Sequence, residues 1–94
     1  MDKDLFLRWL LRKRRLKSKV AYDTVSRCKR IESILGQTLE SAVASQGAFE
    51  AGLTEIKRIR PQYNDLLYAM RLYAMFKNSK LDAKRYARAI SQAR

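Results

Sequence analysis

Apolar residues recur every three or four positions along almost the whole chain, and only three glycines and one proline break the pattern. That spacing is the period of an amphipathic helix, whereas a β protein alternates two by two and needs many more turn formers. Ala, Leu, Arg and Lys dominate the composition, and all four favour helix. The fold class is all-α. With 94 residues and 47% hydrophobic content, one folded domain follows rather than a disordered chain.

The first apolar stripe runs from about Asp2 to Arg14, with Leu5, Phe6, Trp9 and Leu10 on one face and Leu7 and Leu11 widening it. Trp9 is expected as a core anchor, because burying an indole is so favourable. Leu16 to Lys19 reads as a short connection, with Ser18 as the N-cap of a second helix reaching Leu35. Along it Ala21, Val25, Cys28, Ile31 and Leu35 form one face, and Lys19, Tyr22, Ser26, Lys29, Arg30 and Ser33 the opposite one. Gly36 suits the left-handed residue just past a helix end. A short third helix starts at Thr38, a candidate cap, and runs to about Ser45, with a bend over 44–48. A fourth extends from about Ala48 to Ile59 on the stripe Phe49, Leu53, Ile56 and Ile59. Gly52 inside it lowers helix propensity by about 1 kcal/mol relative to Ala.

Pro61 ends the fourth helix and suits the first turn of a fifth. That helix reaches about Lys77 and buries Leu66, Ala69, Met70, Tyr73 and Phe76. Asn78 and Ser79 break the pattern before a last segment from Leu81, whose apolar stripe of Leu81, Tyr86, Ala89 and Ile90 is thin and which also carries Lys84, Arg85, Arg88 and Arg94. Residues 1–78 are thus expected as one domain, and 79–94 as a C-terminal helix or a linker toward a further domain. The short turns favour a compact bundle of four to five helices.

Several chemistries are poorly provided for. Histidine, the commonest general base, is absent. The acids are dispersed, no phosphate-binding glycine loop occurs, and no cluster of ligand side chains suggests a metal. Cys28 sits on an apolar face and reads as a small buried hydrophobe rather than a nucleophile. No catalytic residue, cofactor, metal or small-molecule substrate is therefore expected. No run approaches a membrane span, and the acidic start interrupted by Arg8 makes a poor signal peptide. With one cysteine, a reducing cytoplasmic compartment fits.

Charge is the outlying property. There are 21 Lys and Arg against 9 Asp and Glu, a net charge of +12. Self-repulsion on this scale points to a polyanionic partner. Ten of the cations lie between Arg8 and Arg30: Arg8, Arg12, Lys13, Arg14, Arg15, Lys17, Lys19, Arg27, Lys29 and Arg30, with Asp23 the one acid among them. A basic helix end, a cationic turn and the start of a second helix would converge on one surface. The N-terminus of that helix offers free N–H groups to a phosphate. Tyr63, Tyr68, Tyr73 and Tyr86 interleave with charge elsewhere; Tyr73 is expected in the core, while Tyr63 and Tyr68 are candidates for stacking on bases.

Two stretches carry a family resemblance. Phe6-Leu7-Arg8-Trp9-Leu10, followed by Leu16-Lys17-Ser18-Lys19 and the helix to Leu35, is one; the run from Asp65 to Phe76 is the other. Together they resemble the N-terminal core-binding, SAM-like domain of phage integrases and other tyrosine recombinases. Val20 and Thr24 depart from the family pattern, where a Thr and an aromatic are usual. The resemblance implies that helices two and five face DNA, that a separate C-terminal domain does the cutting, and that this chain binds without catalysis. It nominates Lys17, Ser18, Lys19, Tyr22, Arg27, Lys29 and Arg30, with Arg71 on the fifth helix, beside Arg12, Lys13, Arg14 and Arg15 of the basic turn. Duplex DNA is the expected partner, with other copies of the chain on it. Competing readings are a helical protein-interaction module, an RNA or single-strand binder, and a membrane-surface protein. The last loses its apolar face if Phe6, Trp9 and Leu10 are buried against helices two and five.

Overall fold

The apolar stripes read in the first five segments lie on the buried sides of helices in the computed structural model, which describes residues 1–62 and 64–78. The order is α1 (Lys3–Arg12), α2 (Ser18–Leu35), α3 (Leu39–Ala42), α4 (Gln46–Ile59) and α5 (Asn64–Lys77), with no strand among the described residues. α2 packs most extensively on α5, with α1 across one side of the pair and α3 and α4 closing the other. Phe6 and Leu10 of α1, Ala21, Cys28 and Ile31 of α2, and Phe49, Leu53 and Ile56 of α4 are sealed from solvent. They meet Leu66, Ala69, Met70 and Tyr73 of α5. Burying each of the Leu, Ile, Phe and Met side chains among them contributes about 1.5–3 kcal/mol against the entropy of ordering it.

Local signals set most helix ends. Gly36 closes α2 with φ of 65°, and its N–H donates to the Glu32 carbonyl. Thr38 caps α3 by accepting from the Ser41 N–H at 3.2 Å. Five boundaries differ from the sequence reading, the first being α3, which stops at Ala42 rather than about Ser45. α1 stops at Arg12, two residues early. Ser18 is the first residue of α2 rather than its cap; extended Lys17 holds the cap position without a side-chain bond. Ser45 accepts from the Ala48 N–H at 3.1 Å, so α4 starts at Gln46 and the expected bend shrinks to a capped junction. Pro61 lies in a turn ahead of α5, which begins only at Asn64. Arg60, forced out of helical geometry before the proline (φ −131°, ψ 67°), is where α4 ends.

The stripes of α1 and α4 are narrower than expected, whereas α5 also buries Leu72 and Ala74 and α2 also buries Thr24. Leu5 is 55% exposed, because it lies about 100° around the helix from Phe6, on the side away from the core. Ile59, the last residue of α4, is 36% exposed. Trp9 is half-buried, not sealed: it lies 6.1 Å from Phe6 and 5.6 Å from Phe76, lidding an aromatic cluster whose centre is the edge-on Phe6–Tyr73 pair at 4.9 Å. Phe76, expected in the stripe, is itself only partly buried. No helix among the described residues is long and apolar enough to cross a membrane.

A polar knot ties the chain start to this cluster. The Tyr73 hydroxyl donates to Glu40 at 2.7 Å and accepts from the Asp2 N–H at 3.2 Å. The Met1 amino group lies 3.1 Å from Glu40 and 3.5 Å from Glu32. Glu32 in turn accepts from the Leu39 N–H at 2.8 Å, supporting the start of α3, and Asp2 pairs with Lys77. Partial burial opposes ionisation of Glu40, yet the bonds from Tyr73 and the amino group outweigh it and hold the carboxyl below its usual 4.5. Burial and Glu40 hold the Tyr73 phenol well above the ordinary value.

Gly52 explains its own place in α4. A Cβ there would stand 2.7 Å from Cε of Met70, so the glycine lets α4 and α5 approach closely. Because that atom is the flexible end of methionine, Gly52→Ala is expected to change stability by no more than about 1 kcal/mol in thermal melts. Gly52→Val is expected to cost about 1–3 kcal/mol by overpacking; a valine variant as stable as the parent would refute the tight approach. Since the folded-state pKa of Glu40 is lowered, its stabilisation is present above pH 4.5 and is lost as pH falls below that value. Glu40→Gln is therefore expected to lower the melting temperature at pH 7 and flatten its decline between about pH 5 and 3. An equally steep decline in the variant would assign it to other carboxylates.

Candidate nucleic-acid interface

The basic turn is a tight reversal. The Trp9 carbonyl accepts from the N–H groups of Lys13 and Arg14 at 2.8 and 3.2 Å, and the Leu10 carbonyl accepts from Leu16 at 3.1 Å. Arg15 makes the reversal in the left-handed region, with φ of 55°. Leu16 tucks partly against the core and pins the turn. Arg12, Lys13, Arg14, Arg15 and Lys17 all project into solvent around it.

Helix α2 continues the surface. Its inner face buries Ala21, Thr24, Val25, Cys28 and Ile31. Buried Thr24 satisfies its hydroxyl by donating to the Val20 carbonyl at 2.8 Å. Lys19, Tyr22, Ser26, Lys29, Arg30 and Ser33 are all exposed, Tyr22 by 59%. At about 100° per residue these six fall within an arc of about 100°, so they form one face. At the start of α2 no side chain caps the helix and no acid occupies the first turn. Its leading N–H groups and positive dipole end stand beside Lys17 and Lys19, a combination that favours an anion.

Where the acids go decides the electrostatics. Glu32 and Glu40 hold the Met1 amino group, Asp2 pairs with Lys77, Glu55 with Arg58, and Asp65 with Arg27. Among the described residues, no acid lies within ion-pair distance of Arg12, Lys13, Arg14, Arg15, Lys17, Lys19, Lys29 or Arg30. Eight cations thus share one turn and one helix face with no ion pair among the described residues.

Two nominated residues stand apart. Arg27 is turned to α5, where its Nε lies 3.1 Å from Asp65. Arg71 has its Nε buried with no hydrogen-bond partner among the described residues, and its guanidinium lies 5.9 Å from the centroid of the half-exposed Tyr68 ring. Tyr63 and the last segment, with Tyr86, Lys84, Arg85, Arg88 and Arg94, lie outside the described residues. Cys28 donates weakly to the Ala69 carbonyl at 3.6 Å, and burial pushes its thiol up to about 12, which leaves it un-nucleophilic. No group of three or more His, Cys, Asp or Glu among the described residues could hold a metal ion. No family model, curated protein or solved structure matches the chain.

The left-handed Arg15 was not legible in the sequence. Glycine or asparagine usually marks such a residue, whereas arginine there costs about 1–2 kcal/mol. Arg15→Gly is expected to stabilise the protein by about 0.5–1 kcal/mol, after allowing for the greater freedom of glycine in the unfolded chain. Thermal melts at pH 7 check the sign. A lower melting temperature would mean that the Arg15 side chain itself holds the turn.

Proposed function

We propose that this chain is a duplex DNA-binding module that grips the phosphate backbone with its basic turn and the exposed face of α2, without catalysis of its own. The observation that carries the reading is the set of eight exposed cations on one turn and one helix face that have no ion-pair partner among the described residues. Leaving so many like charges together opposes folding, and a line of phosphates relieves it by counterion release. A rigid helix flanked by a cationic turn suits a duplex groove better than a flexible single strand. Burial of Phe6 and Leu10 and partial burial of Trp9 remove most of the apolar face that membrane docking would need. The lack of histidine and the protonated thiol of Cys28 support grip without chemistry.

The finer reading is a core-binding, SAM-like domain of a phage or mobile-element integrase, acting in site-specific recombination beside a separate catalytic domain. The outward basic face of α2 supports it. On α5, the residues that would face DNA are Tyr68 and Arg71, with Arg27 held back by Asp65.

Fluorescence anisotropy with a labelled mixed-sequence duplex tests the proposal. Binding at about 50 mM salt is expected to weaken about a thousandfold or more by 200 mM. Replacing Lys17, Lys19 and Arg30 together by Gln is expected to reduce the logarithmic salt slope by about two to three units. No binding to any duplex at low salt would refute the reading, and equal binding to an acidic polypeptide would favour a protein-interaction module instead.

A further inference from the structure

The exposed face of α2 is not uniformly basic. At about 100° per residue, Tyr22, Ser33 and Ser26 fall within about 40° of one another along its centre, while Lys29 lies at one margin and Lys19 and Arg30 at the other. All six are exposed, and the three central residues carry neutral hydroxyls. A surface that held only a backbone would gain from cations across its whole width. Here the cations keep to the margins.

We infer that this strip reads base edges in the major groove, making Tyr22, Ser26 and Ser33 specificity-determining residues and Lys19, Lys29 and Arg30 their phosphate clamps. Hydroxyls donate and accept and can meet either kind of group on a base edge. From Tyr22 to Ser33 the helix rises about 16 Å, the length of about five base pairs. A groove about 12 Å wide admits one helix and brings a phosphate row within reach of each margin. The inference rests on duplex binding and adds sequence preference to it.

The experiment is selection from a duplex pool randomised over 20 positions, followed by anisotropy with the selected duplex and its scrambled counterpart. The parent protein is expected to enrich a motif of about five base pairs and to prefer it by about tenfold or more. The variant Tyr22→Ala/Ser26→Ala/Ser33→Ala, checked for an unchanged melting temperature, is expected to lose that preference. It should bind the scrambled duplex with the parent's salt slope. Tyr22→Phe, which keeps the ring and loses the hydroxyl, is expected to alter the preference at one position only. Lys19→Gln/Lys29→Gln/Arg30→Gln is expected to weaken both duplexes alike. Duplex binding without enrichment, or a preference unchanged in the triple alanine variant, would overturn the inference while leaving DNA binding intact. No duplex binding at all would overturn both.

Discussion

Packing of α2 against α5 is the contact on which the rest of the structure hangs. Ala21, Val25, Cys28 and Ile31 offer small or branched side chains, and Leu66, Ala69 and Tyr73 answer them, closely enough for the Cys28 thiol to reach the Ala69 carbonyl. Burying that side of α2 commits the other side to solvent. The α1–α2 turn then projects its cations beside that face instead of folding them over the core. The candidate interface is thus the reverse side of the main hydrophobic contact.

Charge is divided between two tasks. Most of the paired acids lie in ties that close the fold: Glu32, Glu40 and Asp2 secure the chain start to α3 and α5, and Asp65 fastens Arg27 to the α2–α5 seam. Such pairs are individually worth little when exposed, but several share the half-buried surroundings of Tyr73, where a hydrogen-bonded network holds better than isolated contacts. The acids engaged there are unavailable to neutralise the basic turn. Arg15 sharpens the contrast, because a position whose backbone suits glycine carries a cation instead.

Much of the fold was legible because helical periodicity and capping are local. The stripes of α2 and α5, the Gly36 terminus and the Thr38 cap stand where side-chain spacing and turn chemistry put them. The misreadings lie where a boundary depends on competing signals. Ser45 outcompeted a bend, extended Lys17 took the cap position expected of Ser18, and Pro61 was held in the turn ahead of α5. Trp9 is less buried than its hydrophobicity predicts for a related reason: hydrophobicity measures how much burial is worth, not whether a neighbouring helix covers the ring.

The sequence by itself determined the all-helical class, the inward and outward faces of α2 and the density of cations from Arg8 to Arg30, because each follows from residue type and spacing along one segment. The tertiary structure alone decided which of those cations remain unpaired. Arg27 is taken by Asp65, a residue on another helix, and Arg71 is half-buried at α5, whereas the turn and the α2 face meet no acid among the described residues. It also decided that Arg15 turns left-handed, since that angle is set by where α1 and α2 must lie to pack. Pairing distances between segments far apart in the chain come into being only when the core closes, and no local pattern carries them.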